Sequence, residues 1–257
     1  NVELLSQIGC FGEAASLTVP NVTGGNATTY QYYVDQGIPR LIGEPAPVFA
    51  GDHTVTVRDA LFGCEVDTVI SIFEPLPITI DLPQIVEIEL GDTLTVLDPT
   101  IVSSLPIDTF LWAPPYQLSC ADCKNPRVNA VEDQLYTLTI IDINGCSTTS
   151  EILVEVDRNR NVYLPNIFSP NDDGLNDKFK VYTGLGVENI ASFQIYDRWG
   201  ELMYEAFDLL PSVDGAGEWD GRFNGEKMKP AVFVYIIQIE FKDGTSLVYR
   251  GDVSLIR

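Results

Sequence analysis

The sequence predicts an all-β protein built from tandem sandwich modules. Short runs rich in valine, isoleucine, threonine, tyrosine and phenylalanine alternate with clusters of glycine, proline, asparagine and aspartate. This is the pattern of many short strands joined by turns, and apolar residues at helical spacing are nearly absent. The 257 residues are 45% apolar, which is enough for two or three domains with separate cores. We therefore expect folded modules rather than a disordered chain.

Two segments repeat one local pattern. The stretches HTVTVRDALFGC, residues 53–64, and YTLTIIDINGC, residues 136–146, each contain a strand of alternating threonine and aliphatic residues, then aspartate, a short turn and Gly-Cys. The repeat has roughly the length of an immunoglobulin-like domain. We predict one immunoglobulin-like module at residues 1–76 and a second at residues 77–158, with Trp112 as a core aromatic residue of the second.

The last segment, residues 159–257, predicts a third immunoglobulin-like sandwich containing two hairpins. ASFQIYD and ELMYEAF flank an Arg-Trp-Gly turn, and a second hairpin turns at an Asp-Gly pair, residues 243–244. The strand at residues 231–241 is apolar on both faces, which places it inside a sheet or between two layers. Because the chain stops on the second strand of that hairpin, we expect its carboxyl end at an ordered, accessible sheet edge.

Charge and hydropathy exclude two classes of partner. Thirty-seven acidic residues against fifteen basic ones give a net charge of −22, which repels phosphate backbones and anionic lipids. The longest apolar run, residues 231–237, is far shorter than the ~20 residues of a membrane-spanning helix. We predict no nucleic-acid partner and no direct membrane span. The abrupt start suggests a fragment, with any secretory signal removed or lying upstream.

The five cysteines favour an oxidising compartment. Cys10 and Cys64 fall at the two ends of the first module, and we predict a disulfide between them. In the second module, Cys120 and Cys123 have the separation of a redox pair or half a zinc site, but the chain has no second Cys-x-x-Cys and its single histidine lies in another module. We expect a small structural disulfide among Cys120, Cys123 and Cys146, with one cysteine left over and the pairing open.

The stretch YLPNIFSPNDDGLNDKF opens the last module and has two interpretations. Its prolines keep the backbone extended and NDDG favours a tight turn, closed by hydrogen bonds from Asx side chains. Alternatively it binds calcium, because Asn171, Asp173 and Asp177 with Gly174 follow the oxygen-ligand spacing of a calcium loop. Lys180 occupies the position of the bidentate glutamate, so we favour the turn. Calcium is the one candidate cofactor.

Four motifs in this segment resemble a known family. In order they are VYLPNIFSPNDDGLNDKFKV, FQIYDRWGELMYE, EWDGRFNGEKMKPAVFVYIIQI and the closing GDVSLIR. They resemble the gliding-motility-associated C-terminal domain, the type B sorting domain of proteins that Bacteroidota export by the type IX secretion system. The resemblance covers residues 161–257 and assigns these motif residues: Pro165, Asn166, Phe168, Pro170, Asn171, Asp173, Gly174, Asn176, Asp177, Arg198, Trp199, Gly200, Trp219, Asp220, Gly221, Leu255, Ile256 and Arg257.

The other two modules are similar to domains found with such tails. Residues 1–76 resemble the repeats of SprB-like gliding adhesins, through Cys10, Gly24-Gly25 and the TVTVRDALFGC end. Residues 77–158 resemble a polycystic-kidney-disease-like domain. The resemblances imply the stalk and secretion address of a large adhesin, secreted across the outer membrane to the cell surface. The implied partners are the type IX translocon and an outer-membrane surface-anchoring subunit.

Two other functions stay open at this point. The same tail would serve a secreted enzyme with a catalytic domain upstream of Asn1, although we expect no catalysis from the present residues because a positioned base is missing. A carbohydrate-binding sandwich would need an exposed aromatic platform at Trp112, Trp199 or Trp219. We expect Trp199 and Trp219 to be buried under turns instead.

Two kinds of glycosylation motif occur. The tripeptides at Asp67 and Asp92 resemble an O-glycosylation motif of Bacteroidota, which makes Thr68 and Thr93 candidate sites, with plain strand residues as the alternative. N-glycosylation sequons occur at Asn21 and Asn26. In a bacterium these sequons are expected to be coincidental.

Overall fold

The structure is a computed structural model that describes residues 1–24 and 29–257. Gly25 and the sequon at Asn26 lie outside the described residues. All regular secondary structure formed by the described residues is β-strand, which confirms the all-β prediction. None of the described residues belongs to a helix able to cross a bilayer. The chain divides into two compact units: unit 1 is Asn1–Asp81, Pro99–Leu111 and Leu138–Ser150, and unit 2 is Leu82–Asp98, Trp112–Thr137 and Glu151–Arg257.

Residues 1–76 form two antiparallel sheets around a small core. The strands are β1 (Glu3–Ser6), β2 (Ala15–Thr18), β3 (Tyr30–Val34), β4 (Arg40–Leu41), β5 (Ala46–Val48), β6 (Gly51–Asp59) and β7 (Glu65–Ile72). Their orders are β1-β2-β5 and β4-β3-β6-β7. Leu17, Tyr32 and Val55 are buried in the core, and the Tyr32 hydroxyl donates to the Glu44 carbonyl. The buried aromatic residue therefore has its polar group satisfied.

Residues 77–158 form a two-stranded and a four-stranded sheet. The strands are β8 (Thr79–Asp81), β9 (Ile85–Glu89), β10 (Thr100–Val102), β11 (Ile107–Ala113), β12 (Gln134–Asp142) and β13 (Ser147–Asp157). Their orders are β10-β8 and β11-β12-β13-β9, with β9 parallel to β13. Alternate residues of β12 point into the core. Trp112 is buried as predicted, and its Nε1 donates to the Cys123 carbonyl over 3.0 Å.

Residues 159–257 form sheets of two, three and five strands. The strands are β14 (Val162–Tyr163), β15 (Ile167–Phe168), β16 (Phe179–Thr183), β17 (Val187–Tyr196), β18 (Leu202–Leu209), β19 (Ala216–Trp219), β20 (Arg222–Phe223), β21 (Glu226–Lys227), β22 (Ala231–Phe241) and β23 (Ser246–Leu255). Their orders are β20-β21, β14-β16-β19 and β15-β23-β22-β17-β18. Both predicted hairpins, β17–β18 and β22–β23, are present. As its two-sided apolar pattern predicted, β22 lies inside the large sheet.

The strands of each sheet come from a single predicted module. The two compact units do not coincide with the three modules, because boundaries between the units fall inside β11, β12 and β13. The module boundaries after residues 76 and 158 stay predictions.

The predicted disulfide between Cys10 and Cys64 is wrong. Cys10 is bonded to Cys146, with Cα atoms 5.5 Å apart, and Cys120 is bonded to Cys123. Cys64 is free and exposed at the end of the β6–β7 hairpin. The carbonyl of Gly9 accepts a hydrogen bond over 3.4 Å from the Asn144 side chain in the β12–β13 turn. The β1–β2 loop therefore lies against the second hairpin turn, where Cys146 is within reach.

Candidate functional site

Three of the four motifs that resemble a sorting domain meet at the end of β23. In the parallel pairing of β15 with β23, Phe168 lies opposite Leu255. The N–H of Ser254 donates to the Asn166 carbonyl over 2.9 Å, and the N–H of Ile256 donates to the Phe168 carbonyl over 3.0 Å. On the other side, β22 pairs with β23 along its whole length. We call Asn166, Phe168, Trp219, Gly221 and Leu255 the C-terminal clamp.

The clamp corrects one expectation about the carboxyl end. Ser254 and Leu255 lie between two strands rather than at a sheet edge, because the parallel strand β15 covers them. In the part of the chain that the structure describes, β15 pairs with no residue of β23 before Ser254. The outer edge of β23 from residue 246 to residue 252 therefore has no paired strand among the described residues. Such an edge can accept an added strand from a partner.

Trp219 forms the centre of the clamp. Its side chain is 1% exposed, and its ring centroid lies 5.3 Å from that of Phe168 and 4.7 Å from that of Phe233. The indole Nε1 donates to the Arg222 carbonyl over 3.0 Å. The motif EWDG thus places a fully buried, hydrogen-bonded indole beneath β15, as the sequence predicted for this tryptophan.

Gly221 lets the last strand approach the EWDG turn. A Cβ at this position would lie 2.5 Å from Leu255 Cδ1 and 3.2 Å from Pro170 Cγ. The φ angle of 71° also lies in the left-handed region that glycine adopts readily. The clamp therefore requires glycine here for both space and backbone conformation.

The NDDG loop is closed around the Asp177 carboxylate. Asp177 Oδ1 accepts from the N–H groups of Asn171, over 2.9 Å, and Asp172, over 2.8 Å. Oδ2 accepts from the Gly174 N–H over 2.8 Å. Desolvation opposes ionisation of this carboxyl, but the N–H donors outweigh it and lower the pKa of Asp177. The loop thus brings the candidate calcium ligands together in the geometry of the hydrogen-bonded turn.

Two further donors of the loop bind the Asp173 carboxylate. Asn171 Nδ2 donates to Asp173 Oδ2 over 2.9 Å, and the Leu175 N–H donates to Asp173 Oδ1 over 2.8 Å. The carboxylate oxygens therefore point at N–H groups of the loop. Within residues 1–24 and 29–257, no three histidine, cysteine, aspartate or glutamate side chains are grouped to hold a metal ion.

Trp199 lies at the tip of the β17–β18 hairpin, and its predicted burial is wrong. The indole is 83% exposed, with the Arg198 guanidinium 5.3 Å from its ring centroid. Asp197 Oδ1 accepts from the N–H groups of Trp199 and Glu201, each over 2.8 Å. Because the aspartate closes the turn through backbone groups, the turn does not need the indole as a packing residue. Arg198 and Trp199 therefore project into solvent from a well-held turn.

A mostly buried ion pair holds the entry to the last segment. Arg160 Nη2 donates to Asp243 Oδ2 over 2.6 Å and to Thr245 Oγ1 over 3.2 Å. The guanidinium also lies over the Phe241 ring, 4.4 Å from its centroid. The local stretch DRNRN gives no indication of the distant partner of Arg160. Arg160 ties the segment before β14 to the β22–β23 turn.

The remaining candidate residues precede residue 162 in the sequence. Thr68 is exposed on β7 and Thr93 is exposed after β9, so both hydroxyls are on the surface. His53 Nδ1 lies 2.6 Å from Asp35 Oδ2, and Nε2 lies 2.8 Å from the Phe49 carbonyl oxygen. The hydrogen bond to Asp35 raises the pKa of His53. Both ring nitrogens thus have structural partners.

Comparison with known proteins identifies the last segment. Residues 162–255 match the family model of the CHU_C type IX secretion signal domain. No curated protein matches the chain.

Several solved structures are similar to the chain at low identity. Dimeric latent PorU from Porphyromonas gingivalis is 11% identical with a TM-score of 0.27, covering 100% of this chain and 34% of that chain. An I-band fragment of titin is 12% identical with a TM-score of 0.35, covering 100% and 99%. The tandem repeats of the extending region of a large adhesion protein are 13% identical with a TM-score of 0.29, covering 99% and 73%. The chain thus spans about a third of the PorU chain.

The family match covers the segment that contains the clamp, the NDDG loop and the Arg198-Trp199 turn. A signal domain of this kind implies export across the outer membrane through the type IX secretion system. Residues 162–255 of this chain are a type IX secretion signal domain.

Proposed function

We propose that these 257 residues are the C-terminal stalk and secretion address of a large cell-surface adhesin. The observation that carries the proposal is the signal domain at residues 162–255, preceded by β-sheet modules without a helical segment in the described residues. The net charge of −22 suits a soluble surface outside the cell. We propose no catalytic role for these residues, since both ring nitrogens of the single histidine are engaged, with Asp35 and with the Phe49 carbonyl.

The partners are the type IX translocon and an outer-membrane surface-anchoring subunit. The Arg198-Trp199 turn is the contact that we propose for this apparatus. Tryptophan and arginine dominate the binding energy of protein interfaces, and here both are presented on a closed turn at the tip of a long hairpin. Because little conformational freedom of the backbone would be lost on binding, the turn is well suited to docking. Trp199 is exposed, but Trp112 and Trp219 are buried. Because a single exposed indole does not form a platform of several rings, binding of sugars is not proposed.

A display experiment tests the address. The whole chain is fused behind a periplasmic fluorescent reporter in a type IX-competent bacterium, beside a matched fusion that ends at residue 158. We expect the intact fusion at the cell surface, accessible to added protease, and the shortened fusion in the periplasm. Surface display without residues 159–257, or periplasmic retention of the folded intact fusion, would contradict the proposal.

Replacing Trp199 by alanine tests the docking turn. We expect display to fall about 30-fold, the equivalent of the ~2 kcal/mol that a hot-spot residue contributes. The melting temperature should stay unchanged because the indole is 83% exposed. Surface fluorescence and thermal unfolding are measured on the same fusion.

Phe73→Ala is the matched control for this substitution. Phe73 is an 85% exposed aromatic residue outside the signal domain, and its loss is expected to leave display unchanged. Equal display of the wild-type, Trp199→Ala and Phe73→Ala fusions would exclude the turn as a docking contact.

A further inference from the structure

The β6–β7 hairpin ends in a turn organised by a buried aspartate. Asp59 is 7% exposed, and its Oδ1 accepts from the N–H groups of Leu61, over 2.8 Å, and Phe62, over 2.9 Å. The Asp59 N–H donates to the Cys64 carbonyl over 2.9 Å. Gly63, with a φ of 74°, leads the chain into Cys64. The turn is therefore held from within and presents the Cys64 thiol at its end.

The β12–β13 hairpin ends in an equivalent turn. Asp142 is 5% exposed, and its Oδ1 accepts from the N–H groups of Asn144 and Cys146, each over 2.9 Å. The Asp142 N–H donates to the Cys146 carbonyl over 2.9 Å. Gly145 has a φ of 85°. The repeated sequence thus produces the same arrangement of buried aspartate, left-handed glycine and terminal cysteine.

The second turn is occupied by the β1–β2 loop. Cys10 of that loop forms the disulfide with Cys146, and the Gly9 carbonyl accepts from Asn144 Nδ2 over 3.4 Å. The loop is folded on itself, because the Cys10 N–H donates to Glu13 Oε2 over 3.0 Å and the Glu13 N–H donates to the Cys10 carbonyl over 3.1 Å. In this protein, therefore, the Gly-Cys turn of one module contacts the opening loop of another module, and the cysteines of the loop and the turn form a disulfide.

At the first turn the cysteine has no partner among the described residues. Cys64 is free, while Leu61 and Phe62 are 71% and 64% exposed. An open groove beside the thiol is lined in part by Val66 and Val69, which are 69% and 65% exposed. Exposed apolar side chains around a free thiol form the kind of surface that an apolar partner loop with a cysteine would cover.

We propose that the Cys64 turn is a covalent docking site for the opening loop of another immunoglobulin-like module with a cysteine in the position of Cys10. The two thiols lose two protons and two electrons as the S–S bond forms, and a disulfide oxidant takes up both and becomes two thiols. Modules along a stalk would then be linked by disulfides between the opening loop of one module and the Gly-Cys turn of another. This inference is independent of the export function.

The test adds a second copy of residues 1–76 in front of the whole chain. The extended protein is oxidised with a mixture of reduced and oxidised glutathione, alkylated, and digested without reduction for peptide mass mapping. We expect the added copy's Cys10 to be bonded to Cys64 of the original module, with the Cys10–Cys146 bond retained. Alkylation of the original Cys64 should be lost, and alkylation should remain at the added copy's Cys64.

Two serine variants provide the matched control. Cys64→Ser in the original module should release the added copy's Cys10 for alkylation, while Cys64→Ser in the added copy should change nothing. Bonding of the added copy's Cys10 to its own Cys64, or alkylation of both the added Cys10 and the original Cys64, would overturn the proposal.

A second measurement works without the added copy. In the whole chain carrying Cys146→Ser, Cys10 loses its partner and is expected to bond to Cys64 of another molecule under the same oxidant. Mass mapping then shows a linked Cys10–Cys64 peptide pair between chains. Monomers alone, or dimers linked through two Cys64 residues, would overturn the proposal in the same way.

Discussion

Replacing Trp219 by alanine is expected to lower the free energy of unfolding of the signal domain by about 3–5 kcal/mol, the usual loss for a large aromatic residue removed from a core. The indole is 1% exposed and contacts the rings of Phe168 and Phe233. The variant also leaves the Arg222 carbonyl without its Nε1 donor. Because β15 packs on this indole, the end of β23 loses support. Urea unfolding, followed by amide hydrogen exchange of β22 and β23, measures the loss within this domain.

Trp199→Ala is the matched control, because it deletes the same side chain from an exposed position. Its expected effect on stability is within about 0.5 kcal/mol. The two variants should therefore lose surface display for different reasons. Trp219→Ala loses it because less of the protein is folded, whereas Trp199→Ala loses it although the protein stays folded. Equal stability of the Trp219→Ala and wild-type domains would show that the clamp does not hold β23.

Replacing Arg160 by methionine is expected to lower the free energy of unfolding by about 3 kcal/mol at neutral pH, the lower end of the cost of breaking a buried ion pair. The side chains of Arg160 and Asp243 are only 22% and 11% exposed. Methionine keeps the apolar contact with Phe241 but removes the donors to Asp243 and Thr245. The Asp243 carboxylate is then left largely desolvated without its cation. Thermal and urea unfolding measure the loss.

The pH dependence of this loss follows from the pKa of Asp243. Burial opposes ionisation, but hydrogen bonds from Arg160 and Thr245 outweigh it and hold the pKa below the ordinary 3.8. The stabilisation is therefore present above that value and is lost as the pH falls through the lowered pKa. In Arg160→Met only the hydrogen bonds from Thr245 still offset burial, so the pKa of Asp243 rises relative to the wild type. The difference in stability between the two chains should shrink on acidification.

Unfolding measured from about pH 7 to about pH 3, across the ordinary range of carboxyl titration, tests this expectation. Arg158→Met is the matched control, because Arg158 pairs with Asp133 at 3.3 Å with both side chains largely exposed, and such pairs contribute about 0–1 kcal/mol. A stability difference between Arg160→Met and wild type that stays constant across this range would contradict the role of Asp243.

Short-range sequence patterns determined the fold class and most of the hairpins. Alternation of apolar and polar residues predicted which face of β12 is buried, and Tyr136, Leu138 and Ile140 are all 0% exposed. An Asp-Gly pair predicted the turn between β22 and β23. These features are readable from sequence because neighbouring residues in a strand alternate between faces, and because tight turns require particular backbone angles. The four motifs likewise identified the signal domain from sequence alone.

Only the tertiary structure decided which residues meet across long separations. Cys10 pairs with Cys146, 136 residues away, and Arg160 pairs with Asp243, while Cys64 stays free. The same holds for the two tryptophans of the last domain: Trp219 lies beneath β15, and Trp199 projects from a turn that Asp197 closes through backbone hydrogen bonds. Each outcome depends on where the ends of distant strands come together. Local spacing contains no information about that position, whereas packing of the sheets sets it.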